Sequence, residues 1–217
     1  YPSTILGGVK PITDRTWEIG ANLHFLEGSR IVVDLAYFNK YTYNNTKSQT
    51  ISSASGFSSR LMNIGEEYVR RGIELSVDAT AIKRSNFTWD INANISKSHR
   101  YFAKIDEEFS TDDLWTKVGG RTDYYSYKLL DTDPNGNLIH KANGLPYKRP
   151  YAVLCGYTDP DFEWGIANNF RYKRFTLSMT FDGRVGGISW NNTEYRMLDS
   201  GVHPSTDNQW RYDQVVN

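Results

Sequence analysis

The chain has 217 residues with 25 basic and 25 acidic side chains, and its zero formal charge gives no support for a nucleic-acid partner or an electrostatic membrane patch. No apolar run approaches the roughly 18 residues of a transmembrane helix, which excludes a helical membrane protein. Aromatics at 14% favour β-structure, interfaces or aromatic belts, and a single cysteine excludes an intrachain disulfide.

The opening YPSTILGG shows no initiator Met, basic n-region or apolar h-region, so no signal peptide is visible there. TWEIGANLHF then alternates, with Trp17, Ile19, Ala21, Leu23 and Phe25 on one side, which predicts a strand with one oily and one wet face. RIVVDLAYFNKYTY repeats the pattern with Ile31, Val33, Leu35, Tyr37, Tyr41 and Tyr43, although Val32, Ala36 and Phe38 blur its other face, and LEGSR between the two supplies a turn at Glu27-Gly28. Residues 44–68, rich in Ser, Thr and Asn, read as a long loop.

VRRGIELSVDA places Val69, Ile73, Leu75, Val77 and Ala79 on one side. FTWDINANIS alternates without error: Phe87, Trp89, Ile91, Ala93 and Ile95 against Thr88, Asp90, Asn92, Asn94 and Ser96. TAIKRSN joins these two strands, with the turn expected at Lys83-Arg84. Residues 97–161 form a second long connection. FEWGIANNFRY and FTLSMTFDG flank the dipeptide Lys173-Arg174, a two-residue turn that sets Tyr172 against Phe175, Phe170 against Leu177 and Ile166 against Phe181. Residues 186–217 make a third long stretch.

No segment of comparable length has a 3.6-residue period, so the chain reads as all-β. Short turns and long connections alternate, which puts every short turn at one end of the sheet. A soluble sandwich usually has modest loops at both ends. Outer-membrane barrels have short turns on one side, long loops on the other and strands alternating apolar-out with polar-in. Strands of 9–13 residues suit a tilted crossing of a bilayer. Aromatics gather toward both strand ends, as interface girdles do. Trp89, Ile91, Leu75, Val77, Leu177 and Phe181 are then expected to face lipid. The wet side, with Glu18, Asp34, Arg70, Glu74, Asp78 and Asp182, suits a hydrated lumen or the solvent face of a sandwich equally well. The reading favours lipid. The alternative is a soluble β-sandwich module that binds carbohydrate or a partner.

These residues resemble a known family. GYTDPDFEWGIANNFRYKRFTLSMTFDGRVGG (156–187) is similar to the C-terminal barrel of SusC/RagA-type TonB-dependent transporters, and so is NIGEEYVRRGIELSVDATAIKRSNFTWDINANISKSH (63–99). The hairpin at 17–42 fits the same series, and YSYKLLDTDPNGNLIH (125–140) is similar to the loop hairpin before the D-P-D-F strand. The matches are collinear over most of the chain. The resemblance implies a piece of a large antiparallel transmembrane β-barrel in the outer membrane of Bacteroidetes-type bacteria. It also implies import of a glycan or peptide, a SusD-like lipoprotein lid and energy from the TonB complex. The family's plug, TonB box and closing strands have no counterpart in residues 1–217, which are therefore expected to be about six strands of a larger barrel.

Chemistry-bearing motifs are sparse. DTDPNGN (131–137) starts like an EF-hand loop, but the twelfth position is Ala142 rather than a bidentate Glu, so a turn is preferred. His24, His99, His140 and His203 have no close partners in sequence, so no metal site is expected. Glu107-Glu108 and Asp112-Asp113 read as solvated loop charge, and Cys155 as a small buried or half-buried residue. No catalytic or cofactor constellation is found, and an enzyme is not expected. Trp115, Tyr124, Tyr125 and Tyr127 in the second long connection, and Trp190 in the third, are candidates for stacking on substrate or anchoring a partner. Packing among these rings into a local core is the competing reading, and Trp210 shares the ambiguity.

Overall fold

Alternation becomes strand almost everywhere it occurs. The computed structural model describes residues 3–5, 8–111, 113–142 and 145–207, so Asp112 and Trp210 lie outside the described residues. The strands are β1 (Ser3–Ile5), β2 (Thr13–Phe25), β3 (Ile31–Tyr43), β4 (Thr46–Thr50), β5 (Ser59–Asn63), β6 (Glu67–Arg84), β7 (Phe87–Lys104), β8 (Tyr124–Tyr127), β9 (Val153–Tyr157), β10 (Phe162–Tyr172) and β11 (Phe175–Val185). Among the described residues, six of them form one antiparallel sheet in the order β11-β10-β7-β6-β3-β2. The chain divides into two units, Tyr1–Gly187 and Ile188–Asn217. The second contains α1 (Asn192–Asp199), whose Asn191 side chain accepts from the Glu194 N–H at 3.1 Å as an N-cap.

The register carries the alternation unbroken across the sheet. Leu23, Val33, Val77, Ala93, Ile166 and Phe181 line up in one rung across all six strands. The next rung toward the long connections is Ala21, Leu35, Leu75, Ile95 and Trp164. The opposite face carries Asn22, Asp34, Ser76, Asn94, Gly165 and Asp182 in one rung. One amide breaks the apolar side: Asn168 pairs with Ile91 and Met179, and its Oδ1 accepts from the Trp89 indole N–H at 3.2 Å.

Among the described residues no second sheet covers either face. Leu177 is 56% exposed, Phe181 55% and Ile73 51%, while among the described residues the buried large apolar side chains are Val69 and Phe102. A sandwich of this length buries a whole inner face. The soluble β-sandwich alternative is thus not what the chain forms. Both outer strands, β2 and β11, keep an unpaired edge among the described residues.

Three short turns sit together at one end. Tyr172 pairs with Phe175 around Lys173-Arg174, where Lys173 takes a φ of 53°. Gly28, at a φ of 68°, helps to reverse the chain between Phe25 and Ile31. The middle hairpin differs from the sequence reading: β6 runs on to Arg84, so the turn is Ser85-Asn86 rather than Lys83-Arg84. The cause is a bulge at Ala81, which shifts the register so that Ile82, not an odd-numbered residue, meets Trp89. Neighbouring turns are tied: Lys173 N–H donates to Asn86 O at 2.9 Å, and Arg30 O accepts from Thr80 N–H at 2.8 Å.

At the other end, β6 and β7 extend to 18 residues each, so the second long connection begins after Lys104. The connections also contain structure of their own. A small sheet, β1-β5-β4, folds residues 46–63 back, and β8 pairs with β9. Cys155, in β9, is exposed rather than buried.

Candidate functional site

Parity decides which side chains reach the charged face, and the stagger of the strands decides which of them meet. Lys40 of β3, Arg70 of β6 and Arg100 of β7 fall in one rung near the long connections. Lys40 Nζ lies 2.8 Å from an Asp14 carboxylate oxygen. Arg70 donates to Ser98 Oγ at 3.0 Å and lies 3.5 Å from Asp159. Arg100 donates to Thr122 Oγ1 at 2.8 Å, and its guanidinium stands 4.7 Å from the Tyr68 ring centre. Further toward the turns the charge reverses. Glu18, Asn22, Asp34, Glu74, Ser76 and Asn94 border a cavity of about 590 Å³. Asn92 donates to Asp78 at 2.6 Å, Asn22 donates to Asp34, and Thr80 donates to Asp90 at 2.8 Å. The face is therefore cationic at its rim and rich in carboxylates and amides below. It presents hydrogen-bond donors and acceptors along the sheet.

A ledge built from the long connections caps this wall. The segment around Arg121 continues the sheet edge: Phe102 N–H donates to Gly120 O at 2.9 Å and Thr122 N–H to Arg100 O at 3.0 Å. Arg121 grips Asp123 through two bonds, at 2.9 and 2.6 Å, and lies 4.1 Å from the Tyr157 ring centre. Burial raises the Asp123 carboxyl's pKa, but the Arg121 bond and the Asp159 N–H outweigh it and hold the carboxyl below its ordinary value. Asp106 is also held low, first by the Gly65 N–H at 2.5 Å and against its burial, with help from the N–H groups of Phe109 and Glu108. Ser110 and Tyr68 both donate to the Glu66 carboxylate, so the first two long connections are tied together here.

The aromatic candidates separate within this frame. Trp115 and Tyr124 pack with ring centres 5.8 Å apart, and Tyr124 also bonds Thr116 Oγ1 at 3.0 Å. Tyr124 and Tyr125 line a polar cavity of about 350 Å³ with Glu66, Asp113 and Thr122. Tyr127 ends β8 at 41% exposure. Trp190 belongs to the second unit, where it packs on Tyr195 with centres 5.3 Å apart. Asp133 spends its carboxylate on its own turn, accepting from the N–H groups of Asn135 and Asn137 at 2.9 Å each. Among the described residues no group of three His, Cys, Asp or Glu side chains is placed to hold a metal ion.

A single-layer sheet, apolar and exposed on one side and charged on the other, is the wall of something larger. The sequence matches the family described as TonB dependent receptor-like, beta-barrel, over residues 1–215. The chain belongs to the TonB-dependent receptor family. It is 24% identical to TonB-dependent receptor P3 of Formosa agariphila, over 91% of this chain and 23% of that one. It is 25% identical to the TonB-dependent receptor SusC of Bacteroides thetaiotaomicron, over 88% and 21%. The fold matches the RagAB peptide importer in its open-open state with a TM-score of 0.60 at 14% identity, covering 80% of this chain and 20% of that chain. The receptor chain thus spans between a fifth and a quarter of these relatives' length, and its open sheet is part of a barrel. Receptors of this family are bacterial outer-membrane β-barrels that serve nutrient import and are not enzymes.

Sequence reading misses the cationic rim. Arg70 was visible as a wet-face residue, but Lys40 and Arg100 join it only through cross-strand register. The extension of β7 past Ser96 was the unread signal: Arg100 and Phe102 keep the even parity of Asn92 and Asn94.

Proposed function

We propose that this chain is a wall segment and extracellular mouth of a transporter that imports an oligosaccharide or peptide across the outer membrane. TonB supplies the energy through parts of the protein other than this wall, and a SusD-like lipoprotein closes over the long connections. The observation that carries the reading is the register, in which apolar rungs stand exposed on one face while the other face is mainly charged and amide-bearing, interrupted by Val32, Ala36, Phe38 and Ala167. In this reading Leu75, Val77, Trp89, Ile91, Leu177 and Phe181 touch lipid. The rim of Lys40, Arg70 and Arg100 faces the lumen. Tyr124 and Tyr125 offer ring faces to substrate or lid, while Trp115 braces Tyr124 from behind. Tyr127 and Trp190 remain candidate contacts by exposure.

One barrel has one orientation, so a single experiment tests the arrangement. With the exposed Cys155 replaced by serine, cysteines are placed at Ser110 and at Lys173 in the full-length protein, and intact cells receive an impermeant thiol label. Labelling at position 110 alone supports the reading, because Ser110 lies in the long connections and Lys173 at a short turn. The reverse pattern refutes the orientation, and equal labelling of both refutes membrane insertion.

A further inference from the structure

Two cations stand on the outward side of the wall, where the apolar rungs give way to the long-connection margin. Lys97 of β7 lies opposite Ile73, and Arg71 of β6 lies opposite His99, one rung further out. Such a diagonal pair is roughly 7–8 Å apart along the sheet, a gap that one phosphate bridges between two long basic side chains. Both residues are exposed. Among the described residues neither has a carboxylate within ion-pair distance, whereas Lys40, Arg70 and Arg121 all do.

Two carboxylates near this margin are already engaged: Glu67 accepts from the Tyr41 hydroxyl, and Asp123 is gripped by Arg121. Arg71 also lies 5.5 Å from the Tyr101 ring centre, which holds its guanidinium against the wall. Opposite it, His99 is only 6% exposed, and among the described residues its Nδ1 has no hydrogen-bond partner. Just below come Leu35, Leu75 and Ile95, so the cations mark the height at which hydrocarbon ends. Trp17 and Tyr37, with ring centres 5.5 Å apart, sit at that same level.

We infer that Arg71 and Lys97 form a docking site for the phosphate of a membrane lipid headgroup, in the leaflet that meets the long-connection end. A guanidinium fork takes two phosphate oxygens, and an ammonium adds a point charge beside it. The inference rests on the lipid-facing assignment proposed above, but not on transport.

The full-length protein, purified in non-ionic detergent, is titrated with a phosphorylated glycolipid, with the same glycolipid after dephosphorylation, and with inorganic phosphate. Bound species are counted by native mass spectrometry. The phosphorylated lipid binds, and the double variant Arg71→Gln/Lys97→Gln weakens it about tenfold, as expected for two exposed ion pairs. Lys173→Gln, at the other end of the sheet, leaves binding unchanged. If the double variant loses heat-modifiability, the two single variants are each expected to weaken binding about threefold. Equal binding by variants and parent overturns the site, as does equal affinity for the dephosphorylated lipid. Displacement by equimolar inorganic phosphate also overturns it, because a free anion would then be the occupant. Bromine-labelled acyl chains separate this from the underlying assignment. Quenching of tryptophan fluorescence that falls in Trp89→Phe, without phosphate selectivity, sinks the headgroup site alone. Absence of quenching sinks the lipid-facing assignment.

Discussion

Gly72 shows what a single position can demand. The Phe38 ring lies over it from the neighbouring strand, and a Cβ there would come within 2.4 Å of that ring. Gly72→Ala is expected to displace Phe38 and destabilise the wall by about 1–3 kcal/mol, as overpacking does. The check is a lower temperature for loss of heat-modifiability. Leu75 makes the complementary case, in mid-strand on the apolar side between Leu35 and Ile95. Leu75→Arg is expected to cost roughly 2–4 kcal/mol at a bilayer midplane. Asp78→Asn on the polar side keeps its neighbour Asn92 and is expected to be nearly silent. Equal yields of folded protein from the two variants would count against lipid contact. Parity made both assignments readable from sequence. Phe38 over Gly72 was not readable, because it depends on how β3 and β6 stagger across residues 44–66.

At the scale of elements, the long connections are structures rather than slack. Asp106 and Asp123 each bond N–H groups or a guanidinium as carboxylates, so both titrate lower in the folded ledge than in an unfolded chain. Their contribution is therefore full above the unfolded aspartate value of about 3.9 and fades as the pH falls toward the folded values below it. Hydrogen exchange within 105–123 is expected to stay slow at pH 5 and to quicken below pH 4 or so, before exchange in β6 and β7 changes. Simultaneous change in ledge and sheet would show that the two are one cooperative unit. Residues 128–150 lie between β8 and β9, and the Arg149–Asp131 ion pair is internal to that segment. Replacing them with a short linker is expected to weaken uptake or lid binding while the sheet still assembles, since loop length costs little. Loss of assembly would assign that segment a core role. The sequence signalled the connections by length and aromatic content alone. Bonds such as Gly65 to Asp106 join residues far apart in the chain and leave no periodic trace.

For the molecule as a whole, the open edges matter most. Among the described residues, β2 and β11, of 13 and 11 residues, have no strand on their outer sides, and one face of the sheet is oily. Residues 1–217 expressed alone are expected to aggregate in water and to need detergent, unlike a folded soluble domain. Sedimentation of the expressed chain with and without detergent decides this, and a monodisperse species in plain buffer would contradict the wall architecture. The all-β class, the hairpins and the two-sided character were legible because alternation survives in the sequence. The middle turn was displaced because one bulged residue, Ala81, leaves no mark on composition.

The tied turns carry a consequence for the order of assembly. Each hairpin closes over a handful of residues, whereas the β7–β10 seam must bring together strands separated by residues 105–161. Closure entropy grows with the logarithm of that separation, about 0.6 kcal/mol for each doubling, so the seams form after the hairpins. The bond from Lys173 N–H to Asn86 O joins two such hairpins at their tips. Once the tips meet, the seam between β7 and β10 can close residue by residue from the turn end toward the ledge. The contacts that tie the long connections to each other and to the wall, such as Gly65 to Asp106, are then expected to form after the seam, while local pairings such as β4 with β5 need not wait for it.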